Sequence, residues 1–394
     1  MKIRAIITVL IFLLFTLEKH SLGRGLFGLQ EIAFLSIGLS YFISIWVFGI
    51  QRLVLLFLSI INLSVVLFIF TMQEFEQLAN LSNSLLIILS FPVALQIARY
   101  FRAQDLRLLT TIFVGVVVIF TVVGGLVSGW TVSYLGDTRQ VRLIGGWEKP
   151  TFLAEAACLI IFLVITSTRD QQLSGVGKWP QTAKIVILVA VLTIIATGSR
   201  AALGTSLIFL YSVWLGTNRR ENRILLNISF LAVALLFVFW SINQGISIDT
   251  LDRAAGSRWT MISVEIETHL ITLGYWLFGN HDAYMVFLEN DAFQNRVFHI
   301  DSFFAERLVL TGLFGLILLG LSILNFYSNM DLVGRAVVVS LLFYGLFEHG
   351  IFNLTSMFAY FSLLIAAISA QKALFRRARL SADAAHGTAL RPAR

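Results

Sequence analysis

The chain has 394 residues, 58% of them hydrophobic and only 13% charged, with a mean hydropathy of +0.85. Soluble domains carry about 25% charged residues, so this composition excludes a soluble globular protein and predicts a polytopic membrane protein. The net charge of +7 does not point to nucleic acid, because basic residues on a membrane protein first report its topology.

In chain order, the N terminus MKIRAIITVLIFLLFTLEKH has the basic start and apolar core of a signal peptide. No small-x-small cleavage site follows, so it reads as a retained first helix. Twelve apolar runs are expected to span the bilayer: 5–17, 29–49, 53–72, 83–98, 108–130, 152–166, 183–197, 201–216, 224–243, 304–326, 333–347 and 351–370. A span needs about 20 apolar residues, so the first and the eleventh run are short. The runs are continuous rather than alternating, which predicts helices and excludes β-barrel strands. Pro92 is expected to kink the fourth. The fold class is therefore all-α: a transmembrane bundle of about 12 spans. Residues 1–375 form one integral membrane domain, and the small, polar, basic stretch 376–394 is a disordered cytoplasmic tail. The single cysteine, Cys158, lies in an apolar run and excludes both an intrachain disulfide and a Cys/His zinc site.

Charge fixes the threading. With the N terminus in the cytoplasm, the inside segments hold 19 of the 29 Lys and Arg, and the outside segments hold 10. Most short inside loops are then basic, as the positive-inside rule requires. Both termini are cytoplasmic on this reading. Two outside segments are long: 131–151, and 244–303 between the ninth and tenth runs. Within the second, RWTMISVEIETHLITLGYWLFG (258–279) places Trp259, Ile262, Ile266, Leu270, Leu273 and Leu277 at helical spacing. It is expected to form an amphipathic helix at the outer membrane surface.

The outside cations break the topological rule and need another reason. They are Lys19, Arg24, Arg139, Arg142, Lys149, Arg200, Arg253, Arg258, Arg296 and Arg307. Eight are arginines, the residue chosen where a planar, permanently charged fork must hold phosphate. Arg200 lies in IIATGSRAALGTSL with apolar residues on both sides, a costly place for a charge and a functional-site candidate for that reason. Snorkelling to the interface is the bland alternative. Gly198 and Ser199 beside it allow a tight turn, and the amides of the next helix start there are a ready anion site. Arginines from separate segments could converge on one polyanion, which on the outside of a membrane suggests a lipid-linked diphosphate.

His299 stands at the start of the tenth span, with Asp301 and Glu306 close enough in sequence to orient it. An imidazole near neutral pKa can take a proton from a hydroxyl. The competing reading is a cap: Asp301 or Ser302 begins the helix and His299 is a loop residue. His281, His269 and His349 are weaker rivals. A sugar on a polyprenyl diphosphate already carries a good leaving group, so arginines can supply the charge stabilisation without a metal. No outside Asp-x-Asp metal motif is present, and no cofactor is expected.

Four stretches resemble the bacterial O-antigen polymerase/ligase superfamily of integral membrane glycan transferases. They are GGWEKPTFLAEAACLIIFL (145–163), ATGSRAALGTSL (196–207), GSRWTMISVEIETHLITLGYWLFGN (256–280) and HIDSFFAERLVLTGLFGLILL (299–319). The second is the most specific. Order and spacing fit over about residues 105–370; the N-terminal helices match only in hydropathy. The resemblance implies an undecaprenyl-diphosphate-linked glycan donor and a periplasmic active site in the bacterial inner membrane. Arg200 and Arg258 would hold the diphosphate and His299 would serve the acceptor hydroxyl. Arg139, Arg142, Lys149, Ser199, Asp301, Arg307 and His281 would complete substrate binding. The chain departs from the family where Ile300-Asp301 replaces a common Asn, and where Gly279-Asn280-His281 lacks a second glycine, so His281 remains an alternative base. The expected reaction is polymerisation of lipid-linked repeat units. A ligase moving polymer to lipid A–core shares the donor and the arginines. The expected partners are membrane lipids, a glycan or lipid A–core acceptor, and chain-length regulator and flippase proteins. A transporter or lipid-linked sugar flippase is the reading from another class. It fits less well, because the ionisable groups lie at the outer helix ends and no internal repeat is found.

Overall fold

The computed structural model describes residues 2–23, 28–50, 78–99, 101, 103–134, 140–173, 180–217, 266–267, 270–280, 302–348 and 356–371. The spans expected over 53–72 and 224–243, the tail 376–394 and most of the 244–303 loop lie outside the described residues. The elements are α1 (Lys2–Glu18), α2 (Leu29–Phe48), α3 (Leu78–Ala98), α4 (Ala103–Ser128), β1 (Thr131–Tyr134), β2 (Gln140–Leu143), α5 (Pro150–Leu173), α6 (Gln181–Thr197), α7 (Arg200–Thr217), α8 (Leu273–Phe278), α9 (Phe303–Ser328), α10 (Leu332–Tyr344) and α11 (Met357–Gln371). Every helix except the short α8 falls on one of the apolar runs read from the sequence. Apolar runs become helices because a lipid-facing backbone must satisfy its own hydrogen bonds. Among the described residues, four helices are long and apolar enough to cross a membrane: those at Leu29–Phe48, Asp105–Ser128, Pro150–Thr168 and Phe303–Ser328. The chain is a helical membrane protein.

Burial separates the centre of the bundle from its rim. In α5, 83% of the membrane window is buried, against 22% in α2 and 28% in α4. The outward faces of α2 and α4 carry Leu35, Phe42, Trp46, Leu126 and Val127, surfaces suited to acyl chains. α11 is buried from Met357 to Gln371. Aromatic rings tie the centre together: Phe12 of α1 stacks on Phe113 of α4 at 3.7 Å, and Phe361 of α11 meets both edge-on. α5 joins α7 through Phe162 and Phe209, 4.4 Å apart, and through Ser206 Oγ donating to Cys158 Sγ at 3.3 Å. Pro92 lies inside α3, and the helix continues through it.

Hydrogen bonds assign the helix ends to two opposite faces. On one face, Ser21 N donates to Gly146 O at 2.8 Å, Glu148 N to Lys19 O at 2.9 Å, and Phe303 N to Gly345 O at 2.9 Å. This face gathers the ends of α1, α4 and α10, the β1–β2 hairpin, and the starts of α5 and α9. On the other face, Arg99 Nη1 and Gln96 Nε2 both donate to Gly49 O, and Gly334 N donates to Ser369 Oγ. We call the first the loop face.

Two features depart from the sequence reading. The 131–151 segment is not a plain loop: β1 and β2 pair antiparallel, with Val132 opposite Arg142. The hairpin is tied down by Gly145 and Gly146, both at positive φ. A Cβ on Gly146 would run into the backbone of Gly124 in α4. The amphipathic helix expected over 258–279 is also not continuous. Within its described part, Leu270 and Ile271 are not helical, and Thr272 caps the separate helix α8 by accepting from Tyr275 N. Asn280 N then donates 2.7 Å to Val309 O. That carbonyl is available because α9 breaks at Gly312, where φ is 63° and ψ is −171°. A broken membrane helix leaves backbone groups that need a partner, and the α8 segment provides one.

Candidate functional site

The loop face carries Lys19, Arg142, Lys149, Arg200 and Arg307, and Arg142 packs against the turn that precedes Arg200. α6 ends at Gly198, in the left-handed conformation with φ 68° and ψ 14°. Ser199 follows, buried, and its hydroxyl accepts from Ala202 N at 3.4 Å. Ser199 therefore shapes the turn, and Arg200 is presented, exposed, as the first residue of α7. Arg142, from β2, lies across this turn. A Cβ built on Gly198 would sit 3.2 Å from Arg142 Nε and 3.4 Å from its Cδ. Glycine is needed there twice, once for positive φ and once for the approach of the arginine stem.

Arg307 lies on the same face, in the first turns of α9. Its side chain is only 8% exposed. Nη2 donates to Glu306 Oε1 at 2.9 Å, and the guanidinium stands 5.6 Å from the Phe303 ring centre. Among the described residues no acceptor reaches its buried Nε and Nη1. Unpaired buried donors are costly, so this guanidinium is suited to a further anionic group. Glu306 holds Arg307; His299, which it was considered in sequence to orient, lies outside the described residues. Ser302 takes the cap role: its hydroxyl accepts from Ala305 N at 3.5 Å. Lys149, exposed at the start of α5, has its ammonium 6.0 Å from the Phe152 ring centre.

Arg139, Arg258, His281, His299 and Asp301 lie outside the described residues, as do the rival histidines His269 and His349.

Sequence reasoning passed over three groups. Glu155 is the one charged residue between Pro150 and Thr168, and Tyr344 Oη donates to its Oε1 at 2.6 Å. Lys19 and Glu348 are both within electrostatic reach of it. A lone carboxylate in an apolar helix was a visible signal, but its tyrosine is 189 residues away in the chain. His20, just beyond α1, is buried between Phe120 and Trp147. Its Nδ1 accepts from Leu22 N at 3.2 Å and its Nε2 faces Gly145 O at 3.4 Å. Burial pushes its pKa below the ordinary histidine value, partly offset by the Gly145 and Phe120 carbonyls. His20 is therefore a neutral pin that fastens the hairpin loop to α1 and α4.

These parts lie around the loop-face end of α10. Phe303 at the head of α9 donates to Gly345. Tyr344 holds Glu155 of α5. Phe343 packs against Gly204, one turn into α7 from Arg200. Compared with protein families and with curated proteins, the chain matches none.

Proposed function

We propose that this chain is an integral membrane glycan transferase that joins undecaprenyl-diphosphate-linked repeat units, an O-antigen or exopolysaccharide polymerase. The observation that carries the reading is the seating of Arg142 on the Gly198 turn that presents Arg200. Arg142 packs on the turn that precedes Arg200 at one end of the bundle, where a lipid headgroup would lie. A diphosphate is doubly acidic and suits paired guanidinium forks. As the glycosidic bond to phosphate breaks, negative charge grows on the leaving diphosphate, and pre-placed arginines stabilise it without reorganising. Arg307, with two buried donors and an adjacent carboxylate, extends the cationic surface toward the glycan. Arg258 and His299 join this site on the sequence resemblance, His299 serving the acceptor hydroxyl. The loop face is then periplasmic, both termini are cytoplasmic, and the membrane is the bacterial inner membrane.

The glycan profile of a deletion strain tests the reading. A single repeat unit on lipid A–core, or loss of exopolysaccharide with the lipid-linked unit accumulating, is the expected result. Long polymer retained on the carrier with none on the core assigns a ligase instead. A wild-type profile overturns the reading.

A further inference from the structure

The Glu155–Tyr344 pair has no role in the reading above, yet it joins α5 to α10 near the loop face. Glu155 is five residues into α5, about 7 Å along the axis from the loop-face end. By residue surface Glu155 is half-buried, unlike its fully buried neighbours Ala154 and Ala156. Tyr344 Oη occupies Oε1 at 2.6 Å. Among the described residues no hydrogen bond reaches Oε2. The carboxylate is thus fixed by one oxygen and presents the other.

Its neighbours connect it to the arginines. Cys158, one turn deeper in α5, takes the hydroxyl of Ser206 in α7. Phe343, next to Tyr344, packs on Gly204 of α7. Glu155 therefore stands beside the first turns of the helix that begins with Arg200. Gly345, next to Tyr344 on its other side, receives the N terminus of the helix that bears Arg307. A purely structural pair in an apolar bundle would be better served by two apolar side chains, because a carboxylate in lipid surroundings is costly.

We propose that Glu155, positioned by Tyr344, is a catalytic base that takes the proton from the attacking hydroxyl of the acceptor sugar. The inference rests on the transferase reading and assigns the proton transfer to Glu155, leaving His299 to hold the acceptor hydroxyl by a hydrogen bond. The acceptor O–H bond breaks and its proton passes to Glu155 Oε2. The freed oxygen forms the bond to the donor anomeric carbon. The carbon–oxygen bond to the diphosphate breaks, and its electron pair leaves with the phosphate that Arg142 and Arg200 hold. The Glu155 carboxylic acid then releases its proton to water. No metal or redox partner is needed to balance the step.

The test uses full-length protein in nanodiscs and lipid-linked repeat units extracted from the deletion strain. Glu155→Gln is expected to lower the extension rate by about 100-fold, a usual contribution of a general base, with donor binding within about threefold of wild type. Glu155→Ala is expected to regain about tenfold on addition of formate, which restores a carboxylate to the site. Tyr344→Phe is expected to lower the rate by about tenfold through misplacement of the carboxylate. Extension by Glu155→Gln within threefold of wild type overturns the proposal and leaves the transferase reading intact. So does an inactive Glu155→Ala that formate does not restore. Failure of the wild-type protein to extend the units overturns both.

Discussion

Replacing Arg200 with alanine is expected to abolish glycan extension, with a rate loss of about 100- to 1,000-fold, while the amount of protein in the membrane stays unchanged. Arg200 is exposed at the head of α7, so its removal opens no cavity in the core. Its effect falls on the charge that develops on the leaving diphosphate, an interaction stronger in the transition state than in the ground state. Arg200→Lys is expected to fail nearly as badly, because an ammonium keeps the charge but not the planar fork. Glycan ladders from complemented deletion strains, read beside immunoblots of membrane fractions, check both substitutions. Wild-type ladders from Arg200→Ala would remove this residue from the chemistry.

The second large effect concerns folding. Gly312→Ala is expected to destabilise the protein by about 3 kcal/mol or more, because two costs add. The φ of 63° and ψ of −171° at Gly312 lie in a region that is essentially glycine's alone, worth about 1–3 kcal/mol of strain for other residues. In addition, the new Cβ would lie 2.5 Å from Gly279 N and from the Leu277 carbonyl group. These are backbone atoms of the α8 segment and cannot rotate aside. Gly320→Ala, eight residues on in the same helix, supplies the contrast. A Cβ there meets nothing within 4 Å, and removing a glycine from a helix is expected to stabilise it by up to about 1 kcal/mol. Thermal unfolding of the purified variants in detergent separates them. Equal melting temperatures would contradict the broken-helix account.

Much of the helical framework was legible because lipid imposes a simple demand. A run of apolar residues long enough to cross must become a helix, and each run within the described residues did so. The details that needed tertiary knowledge were missed. Gly312 reads as one more glycine in an apolar helix, where glycines are common; only the docking of α8 makes it a break. Helical spacing across Leu270 predicted a single amphipathic helix, but Thr272 offers a local side-chain cap that starts a new one. The β1–β2 hairpin has four residues per strand, too few for alternation to stand out.

The site was legible to a similar degree. The arginine of the Thr-Gly-Ser-Arg stretch was singled out because charge beside apolar residues is expensive. The resemblance named Arg258 as its companion, and that residue lies outside the described residues. The packing of Arg142 on Gly198, a contact between residues more than fifty positions apart, places a further arginine beside this turn. Ser199 was read as a ligand, and its hydroxyl also accepts from Ala202 N in the first turn of α7. Glu155 was in plain view as the single charge between Pro150 and Thr168, but without Tyr344 beside it a carboxylate in an apolar run has no evident partner or purpose.

The joint action of Arg142 and Arg200 on one diphosphate is most directly measured by a double-mutant cycle in binding. Undecaprenyl diphosphate is titrated into nanodisc-embedded wild type, Arg142→Ala, Arg200→Ala and the double variant. Two groups gripping one ligand are expected each to weaken binding by about tenfold, with a coupling energy of at least about 0.5 kcal/mol between them. Single variants that bind the lipid as tightly as wild type, or losses that simply add, would contradict a shared diphosphate site.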